Sequence, residues 1–251
     1  MVLPDLTRRE KIYAALLFFV VTNMLLPILI FSFNHHELPS FLLCEDGVYE
    51  SVAAVCCLVA SVIFLYSFLK FPYRVNYLLF STRRNITVLF LSILLFVLFA
   101  EEISWGQRIF GLKTPDMLSA INFQGEINLH NLKIIQSQNN LIGDLLSVLL
   151  VGYLCVLPLL VYCFRIFEKV SLKLGVPIGS LQIVLSVIFV RGINFFNYRF
   201  FYAGNYSVDF YRIGEAYESN LEMLLLVLAL EYLSSCLNRQ RCLSGESASK
   251  G

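Results

Sequence analysis

The sequence predicts an all-α polytopic membrane protein: a bundle of six transmembrane helices with a long structured extra-cytoplasmic loop. Composition is the first of three observations behind that class. Hydrophobic residues make up 58% of the 251 residues and charged residues 15%, and the mean hydropathy is +0.72, well outside the range of soluble domains. The second is a set of six apolar runs of roughly the ~20 residues that a spanning helix needs. The third is a Lys/Arg bias that alternates from one connection to the next.

The runs are 13–33, 49–69, 86–102, 141–164, 177–196 and 219–237, and residues 1–241 read as one transmembrane domain. Arg8, Arg9 and Lys11 precede the first run as in a signal peptide. The run is too long for an h-region, however, and no A-x-A-like site follows, so a retained helix is expected. Arg8, Arg9 and Lys11, then Lys70, Arg74, Arg83 and Arg84, then Arg165, Lys169 and Lys173, then Arg239, Arg241 and Lys250 mark four segments on one side of a six-helix chain. The connection from His35 to Asp46 has neither Lys nor Arg. Both termini are therefore expected in the cytoplasm. The tail, 242–251, is small and polar and is expected to be disordered.

The connection from Trp105 to Asn140 is long and has elements of its own, as lids and binding loops do. Thr114 and Pro115 read as N-cap and first residue of a short helix. Phe110, Leu112, Met117, Leu118 and Ile121 would lay that helix on the membrane surface.

A net charge of +1 leaves no basic face for nucleic acid. The seven cysteines contain no CxxC pair, and five lie in apolar runs, where a thiol acts as a small hydrophobe. The expected partner is the lipid bilayer.

The unusual polar residues gather at one end of the runs. Glu45, Asp46 and Glu50 open the second; Glu101 and Glu102 close the third; Asn140 and Asp144 open the fourth. Arg191 and Asn194 sit late in the fifth, and Glu215, Glu218 and Glu222 lead into the sixth. With alternating helix directions all of these reach the extra-cytoplasmic face. Carboxylates at membrane depth mark a functional site by default. The helix dipole accounts for acids in a first turn, but not for Glu222 one turn deeper, nor for Glu101 and Glu102 at a helix C-terminus.

Adjacent glutamates on a helix point about 100° apart, so Glu101 and Glu102 face different surroundings. Arg108 can neutralise one of them, which makes a structural ion pair the alternative to catalysis. If 124–132 is helical, Glu126 and His130 share a face at i and i+4 and can hold a metal or pair an acid with a base. A divalent metal ion held by Glu50, Glu126, His130, Glu218 and Glu222 would suit an acid-rich, His-poor shell. Arg191, with Asn194 and Arg212, provides either a counter-ion or a grip on a carboxylate or phosphate. Glu231, deep in the last run, reads as an interfacial residue outside the site.

The block from Glu101 to Gly111 (EEISWGQRIFG), followed by Thr114-Pro115, Gln124-Gly125-Glu126 and Asn128-Leu129-His130-Asn131, resembles a family of uncharacterised bacterial multi-pass inner-membrane proteins. The resemblance covers most of the chain, including Glu45-Asp46-Gly47, and implies a bacterial inner (plasma) membrane location without an activity. A weaker likeness is to CAAX-protease-like intramembrane hydrolases, in which a glutamate pair ends a membrane helix and an arginine follows. Here the arginine falls two residues late and the second histidine motif is missing.

The functional expectation is a hydrolase or transferase acting on a lipid-linked or small-molecule substrate. Glu101 or Glu102 is the desolvated general base, His130 an acid/base partner or metal ligand, and Arg191 the anion holder. A transporter or cation-binding protein is the alternative, and a non-enzymatic assembly or sensor protein is the third reading. Pro27 and Pro158 are the only prolines well inside the runs, which argues against paired broken helices.

Overall fold

A computed structural model describes residues 14–15, 18, 20, 22–23, 25, 47–72, 75–77, 81–122, 125–129, 132–133, 141–203 and 210–244. The helix α1 (Val48–Lys70) is the centre of the bundle. At 1.5 Å per residue its 23 residues run about 35 Å, enough to cross a ~30 Å hydrocarbon core. Ala53, Cys57, Ala60, Ser61 and Phe64 recur at helical spacing and are all buried, so a stripe of mostly small side chains lets two helices approach closely.

A two-residue hairpin, β1 (Val75–Asn76) with β2 (Ser81–Thr82), leads to α2 (Ile86–Glu102). Asn85 caps α2 by accepting from the Thr87 amide at 3.1 Å. Helices α1 and α2 are joined inside the apolar region by a reciprocal serine pair. Ser61 Oγ donates to the Ser92 carbonyl at 2.7 Å, and Ser92 Oγ donates to the Ser61 carbonyl at 2.9 Å. Arg84 donates to the Phe68 carbonyl at 2.9 Å, so the two helices run antiparallel.

Beyond α2 come a tight turn at Ser104–Gly106 and the short helices α3 (Gln107–Phe110) and α4 (Asp116–Ile121). The next span is α5 (Leu141–Val151), a π-helical turn Gly152–Val156 and α6 (Leu157–Cys163). Pro158 has no N–H for an i−4 partner and crowds the preceding turn, which explains why the helix widens there. At Phe164 the backbone turns extended for one residue (φ −131°, ψ 116°) before α7 (Arg165–Leu174). Gly175 ends α7 at φ +63°, where a Cβ would lie 2.6 Å from Asn85 Oδ1.

The last two helices are α8 (Leu181–Ala203) and α9 (Phe210–Ser244). Among the described residues, three stretches are apolar and long enough to cross a membrane: Val48–Lys70, Leu145–Cys163 and Ala216–Cys242; Leu181–Asn197 is apolar but shorter. The core is built where α1 meets α2 and α9 and where α8 closes over them, around Phe64, Leu95, Leu154, Ile183, Leu221 and Leu228.

Several expectations need correction. Helix α8 begins at Leu181 and not at 177, because Pro177 and Gly179 fall in a non-helical lead-in that ends at the cap Ser180, whose Oγ accepts from Ile183 N at 3.4 Å. Helix α9 extends past 219–237 at both ends, and at 35 residues it is about 52 Å long, longer than a bilayer core. It also carries the chain through Ser244, inside the tail expected to be disordered; 245–251 lie outside the described residues. The stretch with Arg165, Lys169 and Lys173 is the helix α7 rather than a plain connection. Most of the first run, 13–33, is also outside the described residues, though Val20 packs into the core and the Tyr49 hydroxyl donates to the Asn23 carbonyl at 2.6 Å.

Candidate functional site

Side-chain pairings settle the relative helix directions. Cys57 meets Glu222 and Phe64 meets Tyr232, so α1 and α9 run parallel. Ser180 meets Glu231 while Arg191 meets Tyr217, so α8 runs against α9. Ser147 meets Tyr217 and Tyr162 meets Gly179, so the α5–α6 span descends beside α9. These directions bring Glu50, Glu101, Glu102, Arg191, Asn194 and Glu218 to one end, the acidic end. Arg84, Lys173 and Arg239 lie at the other, the basic end.

At the acidic end the chain leaves α2 through a costly turn. Ser104 (φ +48°), Trp105 (φ +54°) and Gly106 (φ +74°) are successive left-handed residues, and only the glycine adopts that conformation readily. Glu101 compensates. The Trp105 indole donates to its Oε1 at 2.7 Å, and the Leu129 amide donates to its Oε2 at 2.7 Å. One carboxylate thus holds the turn and, 28 residues on, the returning loop.

The rest of the loop is a hydrogen-bonded knot. Ser104 Oγ donates to Glu126 Oε2, and Asn128 Nδ2 donates to the same oxygen at 3.1 Å. Gln107 receives the Ile127 amide at 2.7 Å and donates to Thr114 Oγ1 at 2.7 Å; that hydroxyl in turn donates to the Gly125 carbonyl. Asn122 and Asn128 are buried and joined at 2.9 Å. Such a closed network rigidifies the segment. Around it Ile109, Phe110, Leu112, Met117 and Ile121 are exposed, an apolar fringe suited to a membrane surface.

Two expectations change here. Thr114 does not cap α4; Pro115 takes the N-cap position, because the threonine hydroxyl is committed to Gln107 and Gly125. The stretch 125–129 is not helical, so the i, i+4 premise for Glu126 and His130 does not hold, and Glu126 faces Ser104 and Asn128 instead.

Within the bundle, Cys57 is fully buried and its thiol approaches Glu222 Oε2 at 3.8 Å. Glu222 is 4% exposed, and both Glu102 and Glu222 lie within electrostatic reach of that thiol. Glu101 is thus committed to the loop.

Arg191 is exposed, and its guanidinium stacks over the buried Tyr217 ring at 5.2 Å. Asn194 is half-buried one turn further along α8. Three members of the tentative metal set lie on different elements. Glu126 belongs to the loop knot, Glu222 to the Cys57 cluster and Glu50 to the first turn of α1. Among the described residues, no three His, Cys, Asp or Glu side chains come together to hold a metal ion. His130 and the side chains of Arg108 and Arg212 lie outside the described residues.

Sequence reasoning gave no role to Cys57 beyond that of a small hydrophobe, and none to Ser104, Asn122, Asn128 or Asn197. Asn197, on α8, is 1% exposed, and neither atom of its amide has a hydrogen-bond partner among the described residues. A buried unpaired polar group costs roughly 1–3 kcal/mol, so it calls for a function. An asparagine immediately after the fifth apolar run, near Arg191 and Asn194, was the available signal. Comparison with protein-family models, curated proteins and solved structures finds no match to this chain.

Proposed function

We propose that the protein is an integral membrane enzyme, a hydrolase or transferase acting on a lipid-linked substrate, with Glu102 and Glu222 as its acid–base pair. The observation that carries this reading is the division of labour between adjacent glutamates. Glu101 is held by two structural hydrogen bonds, while Glu102 lies within electrostatic reach of the Cys57 thiol that contacts the buried Glu222. Two carboxyl groups in different surroundings take opposite roles. Glu102 removes a proton from water or a substrate hydroxyl, the freed oxygen attacks the substrate, and the Glu222 acid returns a proton to the leaving oxygen. Asn197 offers an unpaired amide to a substrate oxygen, and Arg191 offers a guanidinium to an anionic group. The Lys/Arg bias supports an acidic end outside the cytoplasm with both termini inside, and the resemblance carried by the EEISWGQRIFG block implies a bacterial inner membrane. The glutamate pair at the end of a helix, similar to that of the intramembrane hydrolases, agrees with this chemistry.

The test compares the membrane lipids of cells producing wild type or Glu102→Gln. A lipid-linked species should accumulate with the variant. Identical lipid profiles, with the variant folded at wild-type levels, would remove the enzyme reading.

A second reading, cation or proton binding, draws on the depth of Glu222 within the apolar core. It predicts cation-dependent thermal stability that Glu222→Gln abolishes, with no lipid chemically changed.

A further inference from the structure

At the basic end, away from the acidic site, the helices line a cavity of about 590 Å³ that is open to the surface. Its walls include Asn85, Tyr162, Ser180, Glu231, Tyr232 and Arg239. These residues mark helix ends: Asn85 caps α2, Tyr162 lies in the last turn of α6, Ser180 caps α8, and Arg239 lies near the end of α9. The cavity therefore sits at the level where the spans stop, which in a bilayer is the headgroup layer.

Its chemistry is bipolar. Glu231 is half-buried and receives the Ser180 amide at 3.0 Å and the Ser180 hydroxyl at 2.6 Å, one on each carboxylate oxygen. An ionised carboxylate has about four acceptor positions, so capacity remains toward the cavity. Arg239 stands eight residues along α9, about 12 Å by helical rise, at the exposed end of the same wall. A long arginine side chain and a group carrying both phosphate and ammonium bridge that span together.

Helix α7 identifies the source of such a group. It starts one residue after the α6 span ends, and its Ser171, Leu172 and Gly175 neighbourhood forms part of the cavity wall. Ile166, Val170 and Leu174 recur every fourth residue and are exposed, and Arg165, Lys169 and Lys173 recur every fourth residue on the adjacent arc. An exposed apolar arc bordered by a basic stripe lies in a membrane interface. The cavity thus shares its wall with an element that meets phospholipid.

We infer that this cavity holds the headgroup of an aminophospholipid, with its phosphate on Arg239, its ammonium on Glu231, and α7 lying in the same leaflet as the rim. This inference is independent of the reading at the acidic end. The shared chemistry, phosphate plus primary ammonium, also occurs in soluble phosphoethanolamine, so the experiment includes both.

The full-length protein, purified in detergent, is melted with increasing phosphatidylethanolamine, phosphatidylglycerol, phosphatidylcholine or soluble phosphoethanolamine. Phosphatidylethanolamine should raise the melting temperature most, since phosphatidylglycerol has no cation and phosphatidylcholine no N–H for Glu231. In Arg239→Gln, an exposed position, the half-saturating phosphatidylethanolamine concentration should rise at least tenfold. Glu231→Gln should erase the preference for phosphatidylethanolamine over phosphatidylcholine. An equal response to phosphatidylglycerol, equal stabilisation by soluble phosphoethanolamine, or an unchanged half-saturation in Arg239→Gln would each overturn the assignment.

Discussion

Replacing Glu101 by Gln separates architecture from chemistry at the end of α2. The carboxylate accepts two hydrogen bonds of 2.7 Å, from the Trp105 indole and the Leu129 amide. A bond to a charged group contributes roughly 1.5–3 kcal/mol net. The two together offset the left-handed conformations of Ser104 and Trp105, which cost roughly 1–2 kcal/mol each. Glutamine retains one acceptor oxygen, and its NH₂ group must face the other donor. At least one bond is therefore lost, and what remains barely matches the backbone strain. The turn should loosen and release the loop. A loss of about 2 kcal/mol corresponds to about thirtyfold faster hydrogen exchange of the Leu129 amide, read by exchange mass spectrometry or NMR. Trp105 is the only tryptophan, so its single indole N–H resonance should move upfield in the same sample. If Leu129 exchanges at the wild-type rate and the indole resonance stays in place, Glu101 does not hold the loop.

Further outcomes follow from the packing. Ser61→Ala removes one half of the reciprocal bond to Ser92 and should destabilise the protein by roughly 0.6–2 kcal/mol in detergent unfolding, with Ser92→Ala adding less than the same again. Gly175→Ala places a Cβ 2.6 Å from Asn85 Oδ1 at a left-handed backbone position, so the α2 cap should be displaced at a cost of roughly 1–3 kcal/mol in the same unfolding assay. Arg191→Ala removes the cation stacked on Tyr217 and should cost only roughly 0.5–1 kcal/mol of stability, while Arg191→Lys retains part of it.

How far the fold was legible depends on the element. The helix α2 has the bounds of the apolar run 86–102, with Asn85 capping its start. The start of α8 was misplaced because hydropathy does not distinguish an apolar lead-in from a helix, and Pro177 and Gly179 are apolar in that sense but not helical. Helix α9 outruns its apolar window because its flanks, polar but rich in helix formers, continue the same hydrogen-bond ladder. Helix α7 was read as a connection because its charges lower the mean, although the i, i+4 pattern of Ile166, Val170 and Leu174 was present.

The site divides in the same way. Helix parity and charge were enough to bring the acids to one end. The offset of Glu101 from Glu102 was legible, but the partners of Glu101 were not, because one of them is a backbone amide 28 residues away. Cys57 was counted as a small hydrophobe, and only packing α1 beside α9 brings it to Glu222. The role of Thr114 was misread because its local pattern suits a cap, while a tertiary partner, Gly125, takes its hydroxyl.

The central claim is that Glu102 and Glu222 act as one pair, and a double-mutant cycle on turnover tests it most directly. Wild type, Glu102→Gln, Glu222→Gln and the double variant, each checked for wild-type folding, are incubated in nanodiscs with total membrane lipid extract. Mass spectrometry then follows the appearance of the lipid-linked product. Groups that act as a unit are non-additive, so the double variant should be no slower than either single one. Independent, multiplicative losses, or full turnover in folded Glu102→Gln, would contradict the account.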